Sequence, residues 1–472
     1  MAPYTSWASL TDKTYNSRQL PPVARERGNL PSPEDVADLF ARGERMVECP
    51  KSTVLFAYVA QWFTDGFMRS RRPTPPEKNR DIRRNESNHE VDLTQLYGLN
   101  RKATDCLRAG RGGLLKSQEI GGEPFPHHLC GEDGQPKPEF ADLALPLSFQ
   151  EMPLEQRMRL FAMGSDAANS QLGYAMLNVL FLREHNRLAN ELAGKHPDWD
   201  DDRLFETARN ILTVLLIKLV IEEYINHIAP YHFKFRFDPT RFYNEPWYRA
   251  NWGAVEFNLL YRWHSLIPTT FRIHGEDLPI EKTLNKTEIL TSRGLGPVFQ
   301  DASRQPAGRV GLFNTADWFP PRTEIPSIQH SRTAELASYN DYRELCEFPR
   351  VTKFNQISSD PRIQTGLQRL YGSVDGIEFY AGMFAEDRRP NSVLPSLAGR
   401  MVGLHGFSQL LTNPLLTPEV YGKKENRKLT FSQRGIEIIE ETKSLSELLH
   451  RNLPEGAPSY YVSLTREDWR RE

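Results

Sequence analysis

The chain has no long hydrophobic run: nowhere in its 472 residues is there a window near the ~18 consecutive apolar residues of a membrane-spanning helix. Its first residues, MAPYTSWASLTDK, carry no apolar stretch of the secretory kind, so a soluble cytoplasmic protein is expected. Cysteine is scarce. The four copies, Cys49, Cys106, Cys130 and Cys346, are scattered with no CxxC pair, which argues against a zinc ribbon and a disulfide framework. Net charge is small as well: 59 Lys and Arg against 61 Asp and Glu leave −2, which argues against nucleic acid as a partner. No internal repeat, glycine-rich phosphate loop, HExxH or GxSxG occurs, so nucleotide-dependent and hydrolytic chemistries lose support.

What the chain does have is aromatic residues, 11% of the total, and one stretch that suggests chemistry: EFNLLYRWHSLIP at 256–268. Tyr261 and His264 sit three apart on an apolar run, so on a helix both leave from one face, their Cβ atoms about 5–6 Å apart. An imidazole ligates iron, and a phenol beside it is placed to lose an electron to an oxidised iron. The same pattern also fits a short amphipathic helix whose His and Tyr satisfy hydrogen bonds at the edge of the core.

Residues 52–68, STVLFAYVAQWFTDGFM, read as an apolar helix with Ser52 or Thr53 as N-cap. Gln61 and Asp65, its polar interruptions, share a face at i,i+4. The basic stretch 69–85 reads as a surface loop, and His127, His128 and Cys130 as a loop without a second cluster at metal-ligand spacing. A helix spans 174–194, and the run from Ile211 to Ile221 is apolar except for Thr213 and Lys218, so it is buried on most sides. It delivers Tyr224 and, past Pro230, Tyr231, two tyrosines that read by themselves as capping the core. Region 275–340 shows no period, helices resume around 364–387, and further helices are read at 393–411 and 431–449.

EFNLLYRWHSLIPTTFRIHG resembles the proximal motif of the cyclooxygenase branch of the animal-type haem peroxidase superfamily. LREHNRLANEL at 182–192, IEEYINHIAPYHFKFRFDP at 221–239, VDLTQLYG at 91–98, LYGSVDGIEFY at 370–380 and TNPLLTPEVYG at 412–422 resemble further segments in that family's order. The resemblance implies a mainly α fold, a haem-peroxidase (cyclooxygenase-like) helical domain around buried haem b, over residues 51–472 with an N-terminal arm at 1–50. His264 becomes the ligand of the haem iron, Tyr261 the oxidisable tyrosine, Tyr224 its neighbour, Tyr231 a residue of the substrate entrance and Tyr371 a tyrosine near the proximal histidine.

By the same resemblance Gln61 and Asp65 lie on the distal helix, with Asp65 where the family has its acid–base histidine. Burial beside haem would raise a lone carboxyl toward neutrality and let it relay a proton, or the change abolishes peroxide cleavage. The family's aspirin-sensitive serine falls at or near Gly406, with Leu410 and Leu411 as channel lining. The membrane-binding helices of the mammalian enzymes, and the arginine they supply to a fatty-acid carboxylate, have no counterpart. Calcium is left out, because the ligand set around Asp92 and Thr94 is incomplete.

The implied activity is dioxygenation of a fatty acid or other lipid-like substrate, with O2 and an initiating hydroperoxide as partners. A peroxidase or peroxygenase using Asp65, a biosynthetic oxidase of a non-lipid molecule, and a haem-binding protein without turnover stand as alternatives.

Overall fold

Nearly every face of VLFAYVAQWFTD is apolar, and it folds as a helix, α1 (Val54–Asp65), buried along almost its whole length. In the computed structural model, residues 14–24, 30–69, 83–146, 148–249, 251–316 and 323–470 are described. Most of the basic loop read at 69–85 and the start of the N-terminal arm lie outside them. Strand β1 (Glu48–Thr53) runs directly into α1 and pairs antiparallel with β2 (Pro306–Gly308). Thr53 takes the N-cap position in extended backbone, but its hydroxyl donates to the Ser463 carbonyl at 2.8 Å rather than to the helix.

The core of the molecule is α1 against α2 (Leu172–Lys195), and α2 against α3 (Asp201–Leu219). Gly173 permits the first of these contacts: a Cβ there would collide with the ring of Tyr58 on α1. The indole of Trp62 donates to Asn178 at 2.8 Å across the same interface. Polar residues of LREHNRLANEL tie α2 to its surroundings. His185 bonds Tyr97 and the Gly113 carbonyl at 2.8 Å each, and Arg183 pairs with Glu123 at 2.7 Å.

Asp200 caps α3 by accepting from the Arg203 amide at 2.8 Å, and Asp201 and Asp202 complement the helix N-terminus. Lys218, the charge in its apolar run, donates to the carbonyls of Ile439, Glu440 and Thr442 at 2.7–2.8 Å. These carbonyls lie at the C-terminal end of the later helix Lys424–Glu441, so a buried ammonium satisfies acceptors that helix cannot. α3 then opens into a π-turn, Val220–Ile225, whose extra residue reorients Tyr224.

Five further helices bear on the site: α4 (Val255–Leu260), α5 (Leu295–Arg304), α6 (Glu324–Thr333), α7 (Phe379–Ala385) and α8 (Ser396–Leu411). Helices α5 and α6 occupy the region 275–340 that shows no period in the sequence. The reason for α6 is physical: its buried side includes Glu324, Ser327, His330 and Ser331, so it carries no hydrophobic repeat to read.

Candidate active site

The helix read through 256–268 does not continue. α4 ends at Leu260, Tyr261 caps it at φ −98°, ψ 12°, and a separate 3-10 turn begins at His264. Tertiary donors take the carbonyls a continuing helix would use: Asn314 donates to Ser265 at 3.3 Å and Arg42 to Ile267 at 2.7 Å. Tyr261 and His264 therefore do not share a helical face, which corrects the spacing argument. The phenol lines the apolar cavity described below, and the imidazole bonds Glu324 on α6.

His264 Nδ1 lies 3.0 Å from Glu324 Oε1. Thr315 donates to the same oxygen at 2.8 Å, and the Tyr380 hydroxyl donates to the other at 2.6 Å. Burial alone would raise the Glu324 carboxyl, but His264 with the hydrogen bonds from Tyr380 and Thr315 outweighs it and holds the group below the ordinary glutamate range. A fixed carboxylate at Nδ1 sets the tautomer with its proton there and makes Nε2 a better electron-pair donor. The tyrosine of this network is Tyr380. Tyr371, nine residues earlier, instead donates to Glu378 at 2.9 Å, a carboxylate paired with Arg332 at 2.7 Å.

Asp65 also stands in surroundings other than expected. It is one partner of an ion pair: Arg69 donates to its Oδ2 at 2.8 Å and Tyr174 to the same oxygen at 2.7 Å. Arg69 reaches Ser165 at 2.7 Å and also pairs with Asp166. These charge-assisted contacts hold the carboxylate in place. Gln61 lies one turn back on α1, partly buried. Asp92 accepts from Thr94 and Asn88 at 3.1 and 3.0 Å, and among the described residues no cluster of His, Cys, Asp or Glu could hold a metal ion.

Tyr261 looks into a cavity of about 790 Å³, lined largely by apolar groups. Phe63, Tyr224, Ile228, Tyr231, Gly406 and Leu410 contribute to its wall. Tyr224, Leu410 and Tyr231 are thus all assembled around one space, with Tyr231 exposed at its rim and Leu410 buried. Trp263 stacks on Tyr261 with centroids 4.6 Å apart, and Phe56 stacks on both Trp263 and Tyr224, at 6.0 and 5.3 Å. The Tyr224 hydroxyl is sealed from water and meets that of Tyr261 outside ordinary hydrogen-bond geometry. Burial raises Tyr261 far above a free phenol, only partly offset by Tyr224, and Tyr224 is raised by burial and by Tyr261. Both remain protonated at neutral pH.

A carboxylate-backed histidine, an adjacent aromatic stack and a large apolar cavity thus stand together on a helical scaffold. The chain belongs to the animal haem peroxidase family, which it matches over residues 64–460. It is 30% identical to prostaglandin G/H synthase 2 of Equus caballus over 96% of its length and 73% of that protein's. Against prostaglandin G/H synthase 1 of Mus musculus the identity is 31%, over 89% and 68%.

Among solved structures, peroxidase A from Dictyostelium discoideum superposes with a TM-score of 0.76 at 20% identity, covering 96% of both chains. The fatty acid alpha-dioxygenase of Oryza sativa gives 0.71 at 17% identity, over 97% of this chain and 84% of that one. At these identities the superpositions establish the fold.

Members of the family are haem-dependent peroxidases and dioxygenases, so the family implies haem as cofactor. The donor set of His264 fits that group: Nδ1 is committed to Glu324, which orients Nε2 for iron. Sequence reasoning missed Glu324, Arg69 and Tyr174. Tyr380 was within reach, at the end of LYGSVDGIEFY.

Proposed function

We propose that the protein is a haem-dependent dioxygenase of a long, apolar, lipid-like substrate, with Tyr261 as the residue that takes hydrogen from it. One observation carries this reading: Tyr261 is at once a wall residue of the apolar cavity and a stacking partner of Trp263, the residue before His264. Haem, held by His264 with Glu324 behind it, would supply the one-electron oxidant.

Because Tyr261 is a protonated phenol, its oxidation must release a proton together with an electron, leaving a neutral phenoxyl radical. That radical breaks a C–H bond of the substrate and regains its O–H bond, leaving a carbon radical in the cavity. O2 adds to that carbon. The peroxyl radical then takes the Tyr261 hydrogen, which gives a hydroperoxide product and restores the phenoxyl for another turn. The apolar wall excludes water from these radicals.

Against the reading as a peroxidase working through Asp65 stands its pairing with Arg69 and Tyr174, both of which bond Oδ2 and give the carboxylate a structural role. Oxygen uptake with linoleate, wild type against Tyr261→Phe, tests the proposal. Uptake abolished in the variant, with haem content unchanged, is the expected result. Equal uptake by both proteins would refute it, and a phenolic dye turned over without any uptake favours the peroxidase.

A further inference from the structure

The charged members of the cavity wall, Glu347, Arg389 and Arg400, are exposed. Its half-buried polar members are neutral, Gln19, Asn251, His405 and Ser408 among them. Asn251 donates to the Ser408 hydroxyl at 2.7 Å, so those two satisfy each other. Gln19 and His405 differ. Among the described residues the Gln19 side-chain amide has no hydrogen-bond partner, and His405 Nε2 is buried with none.

Two separate elements bring these groups to one part of the wall. The N-terminal arm is pinned beside α4: the Ser17 amide donates to the Gly253 carbonyl at 2.9 Å, the Val255 amide to the Ser17 carbonyl at 3.0 Å, and the Gln19 backbone amide to Glu256 Oε1 at 3.1 Å. His405 comes from α8. Its ring packs on Phe257 with centroids 5.2 Å apart, and Phe257 lies 5.1 Å from the ring of Tyr261. Gln19 and His405 thus flank the first turn of α4, one turn before Tyr261. Gly403 and Gly406 stand on either side of His405 in the wall, and a Cβ at either would meet nothing within 4 Å. Burial lowers His405 to about 4, so its imidazole is neutral at physiological pH and offers a carboxylate no cation. The buried Glu256 beside Gln19 disfavours an anion as well.

We propose that Gln19 and His405 form a neutral polar subsite that selects a lipid-like substrate carrying a hydroxyl or carbonyl group along its chain. A polar group left unpaired in an apolar wall is costly, and a ligand that supplies the missing partner removes that cost. A few such groups in an otherwise apolar cavity also fix a ligand's orientation. The contact therefore decides which carbon is presented to Tyr261. The subsite rests on the reading of the cavity as the substrate's site, but its test needs neither haem nor turnover, so its failure is distinguishable from failure of the Tyr261→Phe comparison.

The experiment is displacement of a fluorescent polyene acid, cis-parinarate, from the purified protein by matched pairs of acids. Oleate is compared with ricinoleate, which adds a mid-chain hydroxyl, and palmitate with its ω-hydroxy derivative. At least one hydroxylated acid should displace the probe at about tenfold lower concentration than its parent. Gln19→Leu and His405→Phe, made separately, should each bring that ratio close to one. His405→Gln, which keeps a neutral hydrogen-bonding side chain, should retain most of it. Because each protein is read on parent and hydroxylated acid alike, a general loss of affinity cancels. A ratio near one for both pairs in the wild type overturns the proposal, as does a ratio that survives either apolar variant.

Discussion

Glu324 Oε1 stands 3.0 Å from His264 Nδ1, so the imidazole is backed by a carboxylate that Tyr380 and Thr315 hold in place. Replacing Glu324 with Gln should weaken haem binding about 10- to 100-fold, the usual cost of losing a partner behind a metal-ligating histidine. Haem titration followed at the Soret band measures it. Unchanged affinity would mean that the carboxylate does not tune the ligand.

The same contact predicts a pH dependence. Glu324 is held below its ordinary value in the folded state, so its contribution to stability is present above the ordinary glutamate range, about pH 4.3, and is lost as pH falls through the lowered value. Melting temperature should therefore fall on the acid side in wild type. Glu324→Gln should show a shallower acid limb.

Asp65→Asn separates two roles for the distal position. If the carboxylate serves the ion pair with Arg69, dye peroxidation should change by less than about threefold, while a general acid–base role demands a loss of about 100-fold or more. Arg69→Met, which leaves Asp65 and Asp166 without their cation, should destabilise the fold by about 3 kcal/mol in urea unfolding.

Gly406 offers a prediction in which stability and activity move in opposite directions. An added Cβ there meets nothing within 4 Å, and the residue lines the cavity. Gly406→Leu should raise stability by up to about 1 kcal/mol through helix propensity. Its side chain takes up substrate space, so oxygen uptake with linoleate should fall at least about tenfold.

Tyr224→Phe removes a hydroxyl that is buried without an ordinary hydrogen-bond partner. Stability should hold or rise by about 1 kcal/mol. Any radical formed on Tyr261 should show an altered EPR line shape, since the Tyr224 hydroxyl meets that of Tyr261.

How much of this was legible in the sequence depends on where each partner lies. Tyr261 and His264 stood out because the Tyr-X-Trp-His core is contiguous, yet the helix drawn through them ends at Leu260, and Arg42 and Asn314, from elsewhere in the fold, bond the carbonyls of Ile267 and Ser265 instead. Asp65 was visible as a position, but its partner Tyr174 lies 109 residues away in the chain. Glu324 was invisible, since α6 buries polar groups and leaves no period. The substitution of Tyr380 for Tyr371 shows the limit of a motif that contains two tyrosines.

The most direct test of the account is EPR of the haem-loaded protein frozen after addition of a hydroperoxide, wild type against Tyr261→Phe. Wild type should give a tyrosyl signal that the variant lacks. The same signal in both proteins would contradict the assignment of Tyr261 as the residue that joins the haem to the cavity.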